Sequence, residues 1–345
     1  MRLTVKGLEM KSLIRVGLVG CGGIMSRHIK DLLSNRFASI AAMADPVAAN
    51  IARYKAQFPA LASAEVYSDY RDLLKAGVDA VVIASPHTFH AKQILDSFAR
   101  GCHVLCEKPM VTSIADARRV LAAEKKTKLA LVLAYQRHFQ GGFLYMRRAV
   151  QSGELGRLNF IQAMQCQEWT FAVGGTWRTD PKFSGFGQLS DSGSHLLDII
   201  TWVTGLKPAR IAALVDCAGY DVDVNSAITV EFESGAIGNI TIVGNASNWW
   251  EDITLNGTKG TLFYRNGVIH HKNGVDGEMR VVNPYDTPWF KSGLSPAGHF
   301  IDVIRGKAEN QSPSISGLLV VEICQTAVKS AKSGGKMMRV RHVKV

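Results

Sequence analysis

Cysteine is scarce in this sequence and carries no pattern. Cys21, Cys102, Cys106, Cys166, Cys217 and Cys324 form no C-x-x-C and no disulfide-like spacing, which excludes a disulfide framework and a cysteine-based zinc module. Histidine offers no compact H-x-x-x-H or H-E-x-x-H either. His87 and His90 are the nearest approach, and no metal site is expected. No apolar run reaches the length that spans a bilayer. The opening MRLTVKGLEMKSLIRVG lacks the continuous apolar block and small-residue cleavage site of a secretory signal. A cytoplasmic location is therefore expected, with residues 1–12 as an extension.

Acidic residues are missing from one end. Lys329, Lys332, Lys336, Arg339, Arg341 and Lys344 stand within residues 329–345 with no aspartate or glutamate among them. Residues 1–15 add +3, so the two ends hold most of the formal net charge of +11 and only +2 remains for the middle. No nucleic-acid motif accompanies these bases. They read as solvated ends, with neither nucleic acid nor membrane expected as a partner.

What is present is the composition of a globular protein, 47% hydrophobic and 20% charged, on a chain of 345 residues that is too long for one ordinary core. Strand-like runs at 14–20, 38–45, 78–85, 102–107 and 129–135 alternate with helical patterns at 24–34, 46–58, 89–100 and 113–126. Such alternation predicts an α/β domain: a doubly wound, Rossmann-type parallel sheet over residues 1–134. The unbroken apolar runs DAVVIA and LALVLA suit strands buried on both faces. Over residues 135–345 the pattern changes to α+β. Strand-like runs between 209 and 273 follow one another without helices, which predicts a large, mainly antiparallel open sheet, and a helix over 314–333 closes the chain. Trp249 and Trp250 lie beside that sheet as interface, core or pocket-capping residues.

The turn GLVGCGGIMSRHI joins the first strand to the first helix. Gly20, Gly22 and Gly23 allow the backbone to turn tightly and approach a pyrophosphate, which the helix N-terminus stabilises. The sixth position of the G-x-G-x-x-G pattern is Met25 instead of glycine or alanine. Asp45 ends the second strand, placed for an adenosine ribose hydroxyl. A carboxylate there repels a 2′-phosphate, so NAD is expected rather than NADP. Two further stretches stand at strand ends, SPHTFHA (85–91) and CEKPM (106–110), and a partly buried Lys108 there would have its pKa lowered. In GQLSDSGSHLLD (187–198), Asp191 and His195 have the i, i+4 spacing that puts two residues on one helical face, so the carboxylate is expected to orient the imidazole.

Together the glycine turn, SPHTFH, Glu107-Lys108-Pro109 and the GFGQLSDSGSHLLD segment resemble the Gfo/Idh/MocA family (glucose–fructose oxidoreductase, inositol dehydrogenase and rhizopine catabolism). The resemblance runs from about Ile14 to Ser333 and includes NGTKGTL (256–262). It implies an NAD(P)-dependent dehydrogenase moving a hydride between nicotinamide and a ring secondary alcohol of a sugar, cyclitol or sugar derivative. Lys108, Asp191 and His195 fall on the family's catalytic positions. The cofactor side would comprise Gly20, Gly22, Gly23, Ile24, Met25, Asp45, Ser85, Pro86, His87, His90, Glu107, Lys108 and Gln136. The substrate side would comprise Lys108, Tyr135, Arg137, Trp177, Arg178, Asp191 and His195. Within that frame His195 is the expected base, Asp191 its orienting partner and Lys108 the oxyanion donor, with Lys108 as base the alternative. Homodimers or homotetramers through the second sheet are also implied.

The sequence departs from the family at Phe186, which replaces the middle of three glycines and either lines the substrate pocket or marks a different turn. Gln136-Arg137 stands where N-R is usual. A redox-assisted NAD-dependent glycosidase, or a non-catalytic NAD- and sugar-binding sensor, would share these motifs. A short-chain dehydrogenase would not, because no Y-x-x-x-K occurs.

Overall fold

A computed structural model describes residues 13–287 and 293–342, so the extension over residues 1–12 and Lys344 lie outside the described residues. The first sheet contains β1 (Ile14–Val19), β2 (Ala38–Ala44), β3 (Glu65–Tyr67), β4 (Ala80–Ile83), β5 (His103–Cys106) and β6 (Leu131–Leu133). All pairings are parallel and the order is β3-β2-β1-β4-β5-β6. Helices α1 (Met25–Leu33), α2 (Ala48–Gln57), α3 (Tyr70–Leu73), α4 (His90–Ala99) and α5 (Ile114–Thr127) connect the strands. Residues of β4 alternate between two cores: Ala80 and Val82 pack with Met25 and Ile29 of α1, while Val81 and Ile83 pack with Ile94 of α4. Burial on both faces is the physical reason the strand reads as a continuous apolar run. Strand order reverses between β1 and β4, which opens a crevice at their C-terminal ends.

The second half carries α6 (Gly141–Gln151), β7 (Leu158–Cys166), α7 (Trp169–Val173), α8 (Pro181–Ser184) and α9 (Ser194–Thr204). It continues with β8 (Pro208–Asp216), β9 (Asn225–Phe232), β10 (Ile237–Val243), β11 (Trp250–Gly257), β12 (Gly260–Arg265), β13 (Val268–Asn273) and β14 (Met279–Val282). The chain closes with α10 (Pro296–Ile304), α11 (Ser314–Lys332) and β15 (Met338–Arg339). The nine strands run β14-β13-β12-β11-β7-β10-β9-β8-β15, antiparallel except for the parallel β7–β10 pair. Helices α9 and α11 cover one face. Every residue of α9 but Trp202 is buried, which accounts for its apolar density.

One element crosses back. Ala297, Phe300 and Ile301 of α10 pack into the core formed by β1, α1 and β4. Part of the first sheet's covering therefore comes from beyond residue 295. The other face of the nine-stranded sheet is open and mixed, with exposed Leu214, Ile237 and Trp250 beside the Thr229–Asn239 hydrogen bond of 3.1 Å. Trp249 and Trp250 are each 40% exposed, so neither is a core residue. No helix among the described residues is long and apolar enough to cross a membrane. The six cysteines are all unpaired.

Candidate active site

The crevice between β1 and β4 is shaped by residues without side chains. Gly20 has φ +83°, and a Cβ there would stand 2.7 Å from the backbone nitrogen of Ser85, so no larger residue fits the two loops so close together. A Cβ on Gly22 or Gly23 would meet nothing within 4 Å, leaving the start of α1 approachable. Tyr54 donates to the Gly22 carbonyl at 2.5 Å and holds the turn from behind. Asp45 is buried. Its Oδ2 accepts the Cys21 N–H at 2.7 Å, while Oδ1 accepts from the Val47 N–H at 2.8 Å and Asn50 Nδ2 at 3.2 Å. The crevice encloses about 510 Å³ and is lined among others by Gly20, Gly22, Asp45, Ser85, Pro86 and Trp177. A Cβ-free cradle, accessible N–H groups at a helix start and a carboxylate at the end of β2 fit a dinucleotide.

Other residues assigned to the cofactor side sit further back. Met25 is fully buried in the core, whereas Ile24 is exposed at the start of α1. His90 is fully buried, with Nδ1 2.8 Å from the Pro109 carbonyl and Nε2 2.9 Å from that of Ser85. Neutral in this site, the ring donates to one of these two carbonyls, and both nitrogens are shut off from a ligand. Glu107 is held by His28 of α1 at 2.8 Å. Gln136, half-buried, opens the 3-10 turn Gln136–Phe139 after β6.

Around Asp191 the two halves of the chain meet. Lys108 Nζ donates to Asp191 Oδ1 at 2.9 Å and to its main-chain oxygen at 3.0 Å. Trp169 Nε1 donates to Oδ2 at 2.8 Å, and Arg178 Nε lies 3.1 Å from the same oxygen. His87 Nε2 is 3.7 Å from Oδ1. Burial opposes ionisation here, but Lys108, His87 and Arg178 together hold the Asp191 carboxyl well below the usual carboxylate range. Burial pushes the His87 imidazole down to about 3, only partly offset by Asp191. Trp177 stands edge-on to His87, with ring centroids 4.8 Å apart, and carries the Arg178 guanidinium over its own ring at 4.5 Å.

The expected Asp191–His195 pair is not formed. Helix α9 begins only at Ser194, and Asp191 lies in the turn before it. The Asp191 carbonyl accepts Lys108 Nζ and, at 2.7 Å, Ser194 Oγ, while the His195 N–H bonds to Ser192 at 3.1 Å. The helical ladder is therefore interrupted between the two residues, and they do not share a face. Gly187 explains part of this local path. A Cβ there would lie 1.9 Å from the Asp223 carbonyl oxygen, and the Asp223 side chain caps the Gly187 and Leu189 N–H groups at 2.8 and 2.6 Å.

His195 is buried, with Tyr135 edge-on at 6.0 Å and no hydrogen-bond partner on Nδ1. Burial, reinforced by the charges of Lys108 and Arg137, holds it well below the ordinary imidazole range. Tyr135 is itself fully buried and forms a wall behind the imidazole. Arg137 pairs with buried Glu251 at 2.5 Å. Phe186 does not line this site; it contributes to a groove with Lys329, Lys332, Arg339 and Arg341 beside α11. Sequence reasoning missed Trp169, because nothing in its spacing links the end of β7 to the turn before α9. It also missed the fully buried His138–Asp198 pair, 2.7 Å long, which ties the 3-10 turn carrying Gln136 and Arg137 to α9.

A crevice that fits a dinucleotide thus stands beside a lysine–carboxylate cluster and a buried imidazole. Residues 14–135 match the model of the oxidoreductase family NAD-binding Rossmann fold, and residues 143–263 match the GFO/IDH/MocA C-terminal domain. The chain belongs to the Gfo/Idh/MocA family. It is 31% identical over 197 residues to the rhizopine catabolism protein MocA of Rhizobium meliloti, covering 57% of this chain and 59% of that one. It is also 31% identical over 208 residues to an inositol 2-dehydrogenase of Streptomyces avermitilis, covering 59% and 57%. The chain thus spans under two thirds of the length of these relatives. A levoglucosan dehydrogenase solved with NADH and levoglucosan superposes with a TM-score of 0.83 over 96% of this chain and 100% of that one, at 19% identity.

Proposed function

We propose that the protein oxidises a ring secondary alcohol of a sugar, cyclitol or sugar derivative with NAD as the electron acceptor. The observation that carries this reading is the contact of Lys108, from the nucleotide-binding half, with Asp191, from the other half, beside a buried neutral imidazole. The relatives named for rhizopine, inositol and levoglucosan support a polyol ring as substrate. When bound, NAD supplies a hydride acceptor for the carbinol C–H, and the hydroxyl proton must leave to the protein or solvent.

The residues divide that task. Asp191, held by Lys108, Trp169 and Arg178, is a poor proton acceptor. Lys108 commits two N–H bonds to Asp191, and its third is left for the substrate oxygen, where negative charge develops. His195 arrives neutral and takes the hydroxyl proton on Nε2, since its Nδ1 is buried away from any substrate. Asp191 therefore positions Lys108, not His195. The Asp45 carboxylate favours NAD by repelling a 2′-phosphate. The open face of the nine-stranded sheet suits pairing of two or four copies, which sedimentation would test.

The deciding experiment is NADH formation on a panel of cyclitols, aldoses and glycosides with wild type, Lys108→Met and His195→Ala. The reading expects turnover on one polyol class and a loss of about 100-fold or more in kcat in each variant. Full turnover in His195→Ala would reject the base assignment.

A further inference from the structure

Lys108 lies between two carboxylates. Asp191 accepts two of its N–H bonds from the far side of the cleft. Glu107, its neighbour in the chain, is the other. Glu107 Oε2 accepts the Lys108 main-chain N–H at 3.2 Å, and the Lys108 charge acts on its carboxylate. Burial raises the Glu107 carboxyl, but His28 and then Lys108 bring it below its ordinary value, so it is an anion at neutral pH. With Arg178 on Asp191, two cations and two carboxylates balance.

His28 holds that second carboxylate. It stands on the core side of α1 with Met25, Ile29 and Leu32, where an apolar side chain would pack without a polar cost. Its Nε2 is 2.8 Å from Glu107 Oε1, and because a carboxylate only accepts, the ring is the donor. Nδ1 is enclosed and unpartnered, so Glu107 is the ring's sole hydrogen-bond partner among the described residues. The Glu107 N–H is pinned to the Ile83 carbonyl at 2.8 Å, so β4 and α1 fix the residue from two sides.

Resting on the dehydrogenase reading, we propose that Glu107, held by His28, is a positioning residue that keeps the Lys108 ammonium a donor to the reacting oxygen. Asp191 is shared with Arg178 and Trp169, so alone it answers Lys108 incompletely. The imidazoles of His87, His90 and His195 also face Lys108, but burial keeps them neutral and they add no counter-charge. The Cys106 thiol beside Glu107, pushed up by burial, is neutral too. Helix α1 thus starts at the cofactor turn and, within its first turn, secures the donor of the chemical step.

The test reads kcat against pH in wild type, Glu107→Gln, His28→Leu and His28→Gln, on the polyol that wild type turns over fastest. The carbon NMR resonance of Lys108 Cε, assigned by its absence from Lys108→Met, is titrated in parallel. In Glu107→Gln the alkaline fall of kcat and the midpoint of the resonance both move down by about one pH unit or more, because a neutral amide no longer favours the ammonium. His28→Leu moves both the same way by less, since an unheld carboxylate turns to the water of the crevice, where its field is screened. His28→Gln keeps an amide donor for Glu107 and the wild-type profile. A lower kcat in Glu107→Gln with both midpoints unmoved would overturn the positioning role and leave a packing one. Midpoints that move in Glu107→Gln but not in His28→Leu would overturn the part given to His28. Glu107→Gln, close to wild type in shape, decides the proposal even if His28→Leu does not fold. No NADH formation by wild type would overturn the dehydrogenase reading alone, and the resonance would still decide whether Glu107 holds the Lys108 proton.

Discussion

His87 gives the structure a measurable acid sensitivity. It is buried and neutral, with its imidazole pushed down to about 3 from an ordinary value of 6.5. The unfolded chain takes up this proton near pH 6.5 and the folded chain does not until much lower pH. Stability contributed by neutral His87 is therefore present above pH 6.5 and lost as pH falls below it. At about 1.4 kcal/mol per pH unit, lowering the pH to 5.0 removes roughly 2 kcal/mol through this residue alone. That is a sizeable share of the roughly 5–15 kcal/mol that holds a domain folded. His90 and His195, also shifted down by burial, act in the same direction. Asp191 and Glu107 have lowered values, so their contributions stay constant over this window. Buried Asp223 and Glu251 and half-buried Glu124 are shifted up and oppose the histidines, so the raw trend mixes both signs. Urea unfolding of wild type and His87→Gln at pH 7.5 and 5.0 isolates the term. The variant should lose about 2 kcal/mol less than wild type between the two conditions. Parallel losses in the two proteins would refute the assignment of His87 as a buried neutral group.

Three further outcomes follow from the site. Asp191→Asn should lower kcat about 100- to 1,000-fold by releasing Lys108, and adding Lys108→Met should cost little more, since the two act as one unit; steady-state kinetics would show it. With His195 held below its ordinary range, kcat/KM should stay level as pH falls through 6.5, and a fall with an apparent pKa at 6.5 would count against His195 as base. Gly20→Ala should weaken NADH binding at least tenfold in a fluorescence titration, because its Cβ would press on the Ser85 backbone, whereas Phe186→Ala should leave KM within about twofold, its ring facing the basic groove.

Much of the fold was legible because its causes are local. Apolar runs marked β4 and β6, amphipathic periods marked α1 and α5, and the glycine turn stood between the strand and helix it joins. Elements with weak local signals were missed. β3 is three residues long, and α3 is a single turn capped by Asp69. The stretch EDITLNGTKGTLFYR, read as one run, folds into the antiparallel pair β11 and β12, and the parallel β7–β10 contact joins strands far apart in sequence. At the site, residue identities were visible but partnerships were not. Asp191 had the right spacing for His195. It instead turned to Lys108, Trp169 and Arg178, because side chains from other segments competed for the carbonyl a helix would have used. Arg137 and His90 likewise carried site-like chemistry, yet the structure engages them with Glu251 and with backbone carbonyls.

The most direct test of the central claim is stoichiometry. Purified protein, NAD and each compound of the polyol and glycoside panel would be followed for NADH and for carbonyl product, with His195→Ala alongside. The account predicts one NADH per ketone formed on one polyol class and almost none in the variant. Tight NADH binding with no turnover on any compound, or glycoside cleavage with no net NADH, would contradict it and identify a binder or a redox-assisted glycosidase instead.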